Sequence, residues 1–589
     1  MCGIAGELRF DRQPADLATI HRITHHMAAR GPDACGFHSQ GPLALGHRRL
    51  KIMDLAPASG QPMVDHQLGL ALVFNGAIYN YPELRAELQE LGYRFHSDGD
   101  TEVLLKGYHA WGEALLPKLN GMFAFAIWER DRERLFLARD RLGVKPLYLS
   151  QDGTRLRFAS TLPALLAGGD VDTRLDPVAL NHYLNFHAVV PAPRTLLRGV
   201  EKLPPASWLR LDAAGNREQQ CWWQLEFGPQ RDEIPLELPD WRDRVLDELR
   251  RAVHVRQRAA VDVGVLLSGG VDSSLLVGLL REAGVDGLST FSIGFADAGD
   301  ERGDEFHYSD LIARHYGTRH HQLRIGEAEI LAQLPAAFRA MSEPMVSHDC
   351  IAFYLLGREV SRHCKVVQCG QGADELFAGY HWYAQVDGQA DAFPAYRAAF
   401  FDCEHAELLA TLRPKWQGED WAGEFVREHF AMPGAAAPVD KALRLDTTVM
   451  LVDDPVKRVD NMTMAWGLEA RTPFLDYRLV ELAARIPPRF KLGDGGKQVL
   501  KEAARLVIPH AVIDRPKGYF PVPGLKHLQG ATLDWVRELL LDPSQDRGLF
   551  EPAMLDRLLG RPSANLTPLR GSRLWQLAAL HLWLSEQGL

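Results

Sequence analysis

Two short stretches hold residues whose types and spacing could do chemistry. The first is Ser268-Gly269-Gly270-Val271-Asp272-Ser273-Ser274. An apolar β-branched run, residues 261–267 broken by Asp262 and Gly264, precedes it, and Leu275-Leu276-Val277 opens an apolar helical face after it. A buried parallel strand, a glycine turn and a helix N-terminus, in that order, present backbone N–H groups to an anion. The string lacks the lysine of a Walker loop, so a γ-phosphate cradle is not the natural reading. The second stretch is Met1-Cys2-Gly3-Ile4. Removal of Met1 would put a thiol and a free α-amine on one residue, nucleophile and base together. An α-amine titrates at about 8, close to working pH, so it can take the thiol proton and return it.

Short strands and turns must position the cysteine. Arg30-Gly31-Pro32-Asp33 is a turn signal, and residues 45–50 and 74–80 each pair a strand-like run with a turn. Ser97-Asp98-Gly99-Asp100-Thr101-Glu102 opens a helix with an acidic first turn, capped by Asp100 or Thr101. Residues 121–128 and 135–140 read as buried strands. So many short strands with few long helices point to a sandwich. The glycine turn sits in a different rhythm. A helical stripe at positions 245, 246, 249, 252 and 253 precedes it; a strand at 288–295, a helix at 308–316 and a strand at 365–368 follow. That last strand opens Cys369-Gly370-Gln371-Gly372-Ala373-Asp374-Glu375. Strands alternating with helices predict a doubly wound parallel sheet with ligands at the C-terminal strand ends. Between the two regions, residues 211–240 are expected to be a linker, Pro- and Glu-rich over 219–239 and without periodicity. The rest is helix-rich, and the apolar stripe at 574–584 reads as core or subunit packing.

Bulk composition bounds the partners. A chain of 589 residues, 46% hydrophobic and 24% charged, suits a globular protein of roughly two to four domains. A net charge of −10 with no basic run argues against nucleic acid. No apolar stretch reaches spanning length, so no membrane helix is expected. The chain start has neither a basic region nor an apolar core, and seven scattered cysteines suit a reducing compartment; the expected location is the cytoplasm. No CxxC pair or His/Cys cluster suggests zinc.

The ordered set of motifs from Cys2 to about residue 165 resembles a class II glutamine amidotransferase domain, an N-terminal-nucleophile hydrolase of four αββα layers, here assigned to residues 2–210. The resemblance implies that Cys2 attacks the glutamine carboxamide. It implies that the Asn75 side-chain amide and the Gly76 backbone N–H form an oxyanion hole. Arg49 would hold the substrate carboxylate and Asp100 its ammonium, with Leu50 and Ile52 bordering the site. The family often has Glu after Asn-Gly, where this chain has Ala77.

The glycine turn resembles the pyrophosphate loop of the ATP pyrophosphatases. Joined to residues 369–380, 460–465, 468–476, Lys497 and Arg515-Pro516-Lys517-Gly518-Tyr519, it resembles the asparagine synthetase family over nearly the whole chain. Residues 241–589 would then be the adenylating domain. By this resemblance Ser268, Gly269, Gly270, Asp272 and Ser273 hold ATP phosphates and Mg²⁺, with Asp374 as the second carboxylate on the metal. Leu266, Ile293, Cys369 and Gly370 would line the nucleoside. Lys497 would neutralise charge on the α-phosphate and the leaving pyrophosphate, and Arg471 would lock segment 468–476 by an ion pair. The implied reaction hydrolyses glutamine, passes ammonia internally and amidates a small carboxylate acceptor through an acyl-adenylate, releasing AMP and pyrophosphate. A homodimer stays open.

Two departures bear on the acceptor. Gln371 stands where the family has an acid, and His348, Asp349 and Ile351 stand where some members have Thr and Arg. With His381-Trp382-Tyr383, these strings resemble the N-acetylglutaminylglutamine amidotransferase branch. An N-acylated acceptor has no ammonium, which suits a neutral residue at 371. His348, Gln371 and Glu375 are the expected acceptor pocket, and aspartate is the alternative acceptor.

Overall fold

The computed structural model describes residues 2–295, 303–515 and 522–589; Met1 and residues 516–519 of the motif at 515–519 lie outside the described residues. The first twelve strands are β1 (Gly3–Arg9), β2 (Ala34–Gln40), β3 (Leu43–Arg49), β4 (Met63–Asp65), β5 (Leu70–Ile78) and β6 (Gly121–Glu129), followed by β7 (Arg134–Arg139), β8 (Tyr148–Gln151), β9 (Arg155–Ala159), β10 (Glu201–Lys202), β11 (Ser207–Asp212) and β12 (Arg217–Cys221). They form two six-stranded sheets, ordered β10-β8-β9-β1-β3-β2 and β12-β11-β7-β6-β5-β4.

The period of two along each strand builds the layers. In β5, Leu70, Leu72 and Phe74 pack with Leu84, Leu88 and Val103 of the helices Tyr81–Glu90 and Asp100–Trp111. The intervening Ala71 and Val73 join Ile4 and Leu8 of β1 between the sheets. Ala5, on the other face of β1, meets Ile20 and Ile23 of the helix Leu17–His26. Helix, sheet, sheet and helix are therefore stacked in that order, the sandwich that the short strands predicted and the αββα arrangement that the family resemblance implied.

Two local expectations are corrected. The helix Asp100–Trp111 is preceded by Gly99 at its cap, so neither Asp100 nor Thr101 caps it; Asp100 is its first residue, and its carboxylate accepts the Ile78 N–H at 3.0 Å instead. Residues 211–221 are not linker: β11 pairs with β7, and β12 with β11. The stretch without strand or helix is 222–237, ending at the helix Leu238–Val255.

Five further strands, β13 (Val263–Leu266), β14 (Ser289–Phe295), β15 (Arg319–Ile325), β16 (Val366–Gln368) and β17 (Glu469–Arg471), form an all-parallel sheet ordered β15-β14-β13-β16-β17. Leu266, Phe291 and Ile293 enter one core while Val265, Leu267 and Val366 enter another, so both faces are covered. The order reverses at β13, whose neighbours are β14 on one side and β16 on the other. That switch opens a crevice beyond the strand ends, at the turns starting at Ser268 and Cys369. No helix among the described residues is long and apolar enough to cross a membrane.

Buried ion pairs join the two parts. Arg30 and Lys145 both reach Asp460, at 2.9 and 3.1 Å, and Lys202 reaches Glu343 and Asp453, at 3.0 and 2.7 Å. Such pairs add little net stability, yet removing one partner costs about 3–5 kcal/mol, so they fix how the halves sit.

Candidate functional site

Two sites lie in the two parts. The first surrounds Cys2 at the start of β1. Its cavity of about 30 Å³ is lined by Cys2, Arg49, Leu50, Ile52, Gly76 and Asp100, together with Asp54, Thr101 and Glu469. The Cys2 N–H donates to Asn75 Oδ1 at 3.0 Å. Asn75 is fully buried, and its Nδ2 has no hydrogen-bond partner among the described residues. A buried donor left over in this way suits an oxyanion that forms only during reaction. At Gly76 a Cβ would sit 2.1 Å from the Met122 carbonyl oxygen, so only glycine lets β5 and β6 close here. Ala77 is wholly buried among Tyr79, Met122 and Leu142 and does not line the cavity.

Burial sets the electrostatics. It raises the Cys2 thiol above its ordinary value. It also pushes Asp100 up to about 6, against the Ile78 N–H that favours the carboxylate. Arg49 is already engaged: Nη1 donates to the Ala56 carbonyl at 3.0 Å and Nη2 to that of Asp54 at 2.7 Å. A cavity this small holds about one water.

Residues not foreseen as part of this site complete it. Glu469 comes from β17, in the other half of the chain. Burial raises its pKa, but positive charge including Arg471 and Lys145 outweighs that and holds it at about 2. Arg471 Nε donates to it at 2.6 Å, the ion pair expected within segment 468–476. Arg30 donates from Nε to the Cys2 carbonyl at 3.3 Å while its Nη1 holds Asp460. It can do so because Gly31 runs against β3: a Cβ there would lie 2.3 Å from the Arg48 carbonyl carbon. The turn signal at 30–33 was visible in the sequence, but nothing local marked its partner 430 residues away.

The second cavity, about 460 Å³, occupies the crevice at the switch point. Leu266, Ser268, Gly270, Asp272, Ser273, Ile293, Cys369, Gly370, Gln371, Asp374, Glu375 and Lys497 all line it. Ser268 N–H donates to Ser273 Oγ at 3.2 Å and Gly270 N–H to Ser268 Oγ at 3.3 Å, closing the turn before the helix Val271–Glu282. Gly269 is behind the lining. Its φ of +79° is the left-handed region, and a Cβ would meet the Ser309 backbone nitrogen at 2.8 Å. Lys497 Nζ bridges Asp272 Oδ2 at 2.7 Å and Asp374 Oδ1 at 2.9 Å. Gly379 permits this: a Cβ there would be 2.1 Å from Asp374 Oδ1 and 2.3 Å from Lys497 Cε.

The far wall differs from expectation. His348 does not line the cavity; it precedes the helix Asp349–Val360 with its ring buried, which lowers its pKa to about 4. Asp349, Phe353 and Leu356 line it instead. Their i, i+4, i+7 spacing puts them on one helix face, a signal present in the sequence. Asp349 and Asp454 both engage Arg458, at 3.4 and 3.0 Å. Glu375 is pushed up to about 7 by burial and by Asp374, and accepts the Tyr380 hydroxyl at 2.8 Å.

Asp272 and Asp374 offer only oxygen ligands, and the Lys497 ammonium between them marks a point that favours positive charge. This pair fits a hard divalent cation that takes its other ligands from phosphates and water. No group of three or more His, Cys, Asp or Glu suited to a metal occurs among the described residues.

Comparison with known proteins matches each half separately. Residues 1–223 match the family described as glutamine amidotransferase domain, and residues 244–585 match asparagine synthase. A Bacillus subtilis protein named asparagine synthetase [glutamine-hydrolyzing] 1 is 30% identical, the match covering 99% of this chain and 96% of that one. Escherichia coli asparagine synthetase B [glutamine-hydrolyzing] is 27% identical over 88% of this chain and 82% of its own. A Gibberella zeae protein named amidase chry2 is 26% identical, covering 84% of each chain.

Proposed function

The chain belongs to the asparagine synthase family, and from that premise we propose that it makes the terminal amide of N-acetylglutaminylglutamine, an osmoprotectant dipeptide. It is a glutamine-hydrolysing carbon–nitrogen ligase of the asparagine synthase type, and its synthase domain implies use of ATP.

At the first site Cys2 Sγ attacks the glutamine carboxamide carbon, and the thiol proton passes to the α-amine of the same residue. Negative charge on the carbonyl oxygen falls between Asn75 Nδ2 and the Gly76 N–H. Ammonia leaves with the returned proton, and water then hydrolyses the thioester to glutamate. Asp100 holds the substrate ammonium only as a carboxylate. Because burial raises it to about 6, kcat/KM for glutamine is expected to fall about tenfold per pH unit below that value, where the group is neutral. Asp100→Asn should lower kcat/KM and flatten this limb; a limb unchanged in the variant assigns it elsewhere.

At the second site an acceptor carboxylate oxygen forms a bond to the α-phosphorus of ATP. The bond to the bridging oxygen breaks and pyrophosphate departs. Ammonia, reaching the site internally, attacks the acyl carbon; AMP leaves with the electron pair and a proton is released. Asp272 and Asp374 would hold Mg²⁺, which when bound neutralises phosphate charge. Lys497 adds a fixed positive charge beside them.

Gln371 carries the choice of acceptor. It lines the cavity as a neutral amide, where an acid would meet an amino-acid ammonium, and Arg458 is held by two aspartates rather than offered to a second carboxylate. An acceptor with one carboxylate and no ammonium suits this wall. Aspartate is the second reading, favoured by the names of the Bacillus and Escherichia relatives. Pyrophosphate release with glutamine, ATP and each acceptor in turn decides between them. The dipeptide should give the highest kcat/KM; faster release with aspartate makes the second reading correct, and ADP with phosphate removes the adenylate.

A further inference from the structure

We propose that Arg515 is the residue that grips the departing pyrophosphate, and that Glu305 holds it in place until then. The inference rests on the adenylate reading. Arg515 lines the same cavity as the Ser268–Ser273 turn, and its Nη2 comes 3.8 Å from where a Cβ on Gly270 would stand. It therefore overlies the helix N-terminus at which backbone N–H groups collect an anion. Glu305 also lines the cavity and takes the guanidinium in two parallel bonds, Nη1 to Oε1 at 2.8 Å and Nη2 to Oε2 at 3.1 Å. The Tyr308 ring supports the guanidinium from 4.3 Å.

Charge gives the pair its meaning. The turn supplies hydroxyls and dipoles but no cation. Lys497 is shared between Asp272 and Asp374, and Lys501 pairs with Asp494 at 3.5 Å. Pyrophosphate leaves carrying several negative charges. Arginine presents a planar fork that fits carboxylate and phosphate alike, so the Glu305 carboxylate occupies the geometry a phosphate would use. As the bond from the α-phosphorus to the bridging oxygen breaks, its electron pair stays with pyrophosphate. Arg515 then donates to the new oxyanion in place of Glu305.

The test is inhibition by magnesium pyrophosphate, with ATP–pyrophosphate exchange, in the full-length protein. Arg515→Met should raise the inhibition constant for pyrophosphate by about 30-fold or more and lower kcat for adenylation by about 10²-fold. Arg515→Lys should recover part of both, since a point charge replaces the fork. Glu305→Gln should lower the inhibition constant several-fold, because the competing carboxylate is gone. If Glu305→Gln weakens pyrophosphate as Arg515→Met does, the pair is structural and the proposal fails; it also fails if Arg515→Met leaves the constant within twofold. Wild type that releases no pyrophosphate fails earlier, on the adenylate itself.

Discussion

Cys2→Ala is expected to abolish glutamine-dependent amide formation, by about 10³-fold or more, while ammonium salts still support it at the second site. Among the described residues lining the first cavity no other nucleophile stands as Cys2 does: the Ser59 hydroxyl is bound to Asp54, and Thr101 Oγ1 accepts from Gln61 at 3.4 Å. Losing the sulfur leaves Asn75 Nδ2 and the Gly76 N–H in place, so glutamine can still be held but not cleaved. Amide formation should be followed with glutamine and, separately, with ammonium chloride above pH 8, where more of the nitrogen is free ammonia. A variant that still uses glutamine would place the nucleophile elsewhere. One that loses both activities would mean that the Cys2 side chain is needed at the second site as well as the first.

What could be read ahead of the structure was what is local. The turn at 268–274 follows a β-branched run and opens a helix, and the chain folds there as that pattern dictates. The runs at 121–128 and 135–140 are apolar almost throughout, and they fold as the buried strands β6 and β7. The misplacements come from contacts between distant segments. β12 reads Arg-Glu-Gln-Gln-Cys and is exposed throughout, so it carries no apolar pattern; only its pairing with β11 makes it a strand. Asp100 reads as a cap in sequence because its partner, the Ile78 N–H, lies 22 residues away at the end of β5. His348 and Asp349 are adjacent in sequence, and helix phase alone decides which one faces the cavity.

The same limit hid the link between the halves. Glu469 lies in the segment 468–476, yet it lines the cavity around Cys2 rather than the one that holds Asp374. Arg471 holds it there and also donates to the carbonyls of Arg256 and Arg258 at 2.7 and 2.9 Å. One edge strand of the parallel sheet thus supplies a wall of the first site, while β16, its neighbour, ends at the turn that lines the second.

Lys497→Met should be the most damaging single change at the second site, lowering pyrophosphate release by about 10³-fold. The ammonium is almost fully buried. Burial disfavours its charge, but Asp272 and Asp374 more than offset this and keep it protonated throughout the working range. Lys497 has a φ of +59° after Gly495 and Gly496 at +70° and +94°, an unusual backbone for a lysine, held so that its side chain spans the two carboxylates. Without the ammonium both carboxylates lose a shared buried partner, a break that costs about 3–5 kcal/mol for such pairs, and the reacting phosphate loses its fixed positive charge. The two losses can be told apart. Because Asp272 and Asp374 fit a divalent cation, Mg²⁺ should raise the melting temperature of Lys497→Met more than that of wild type, yet not restore pyrophosphate release. Lys497→Arg keeps the charge and should preserve stability, but its planar fork does not reproduce a point charge between two oxygens, so release should stay well below wild type. Release within tenfold of wild type in Lys497→Met would show that Lys497 only shields the two aspartates and takes no part in adenylation.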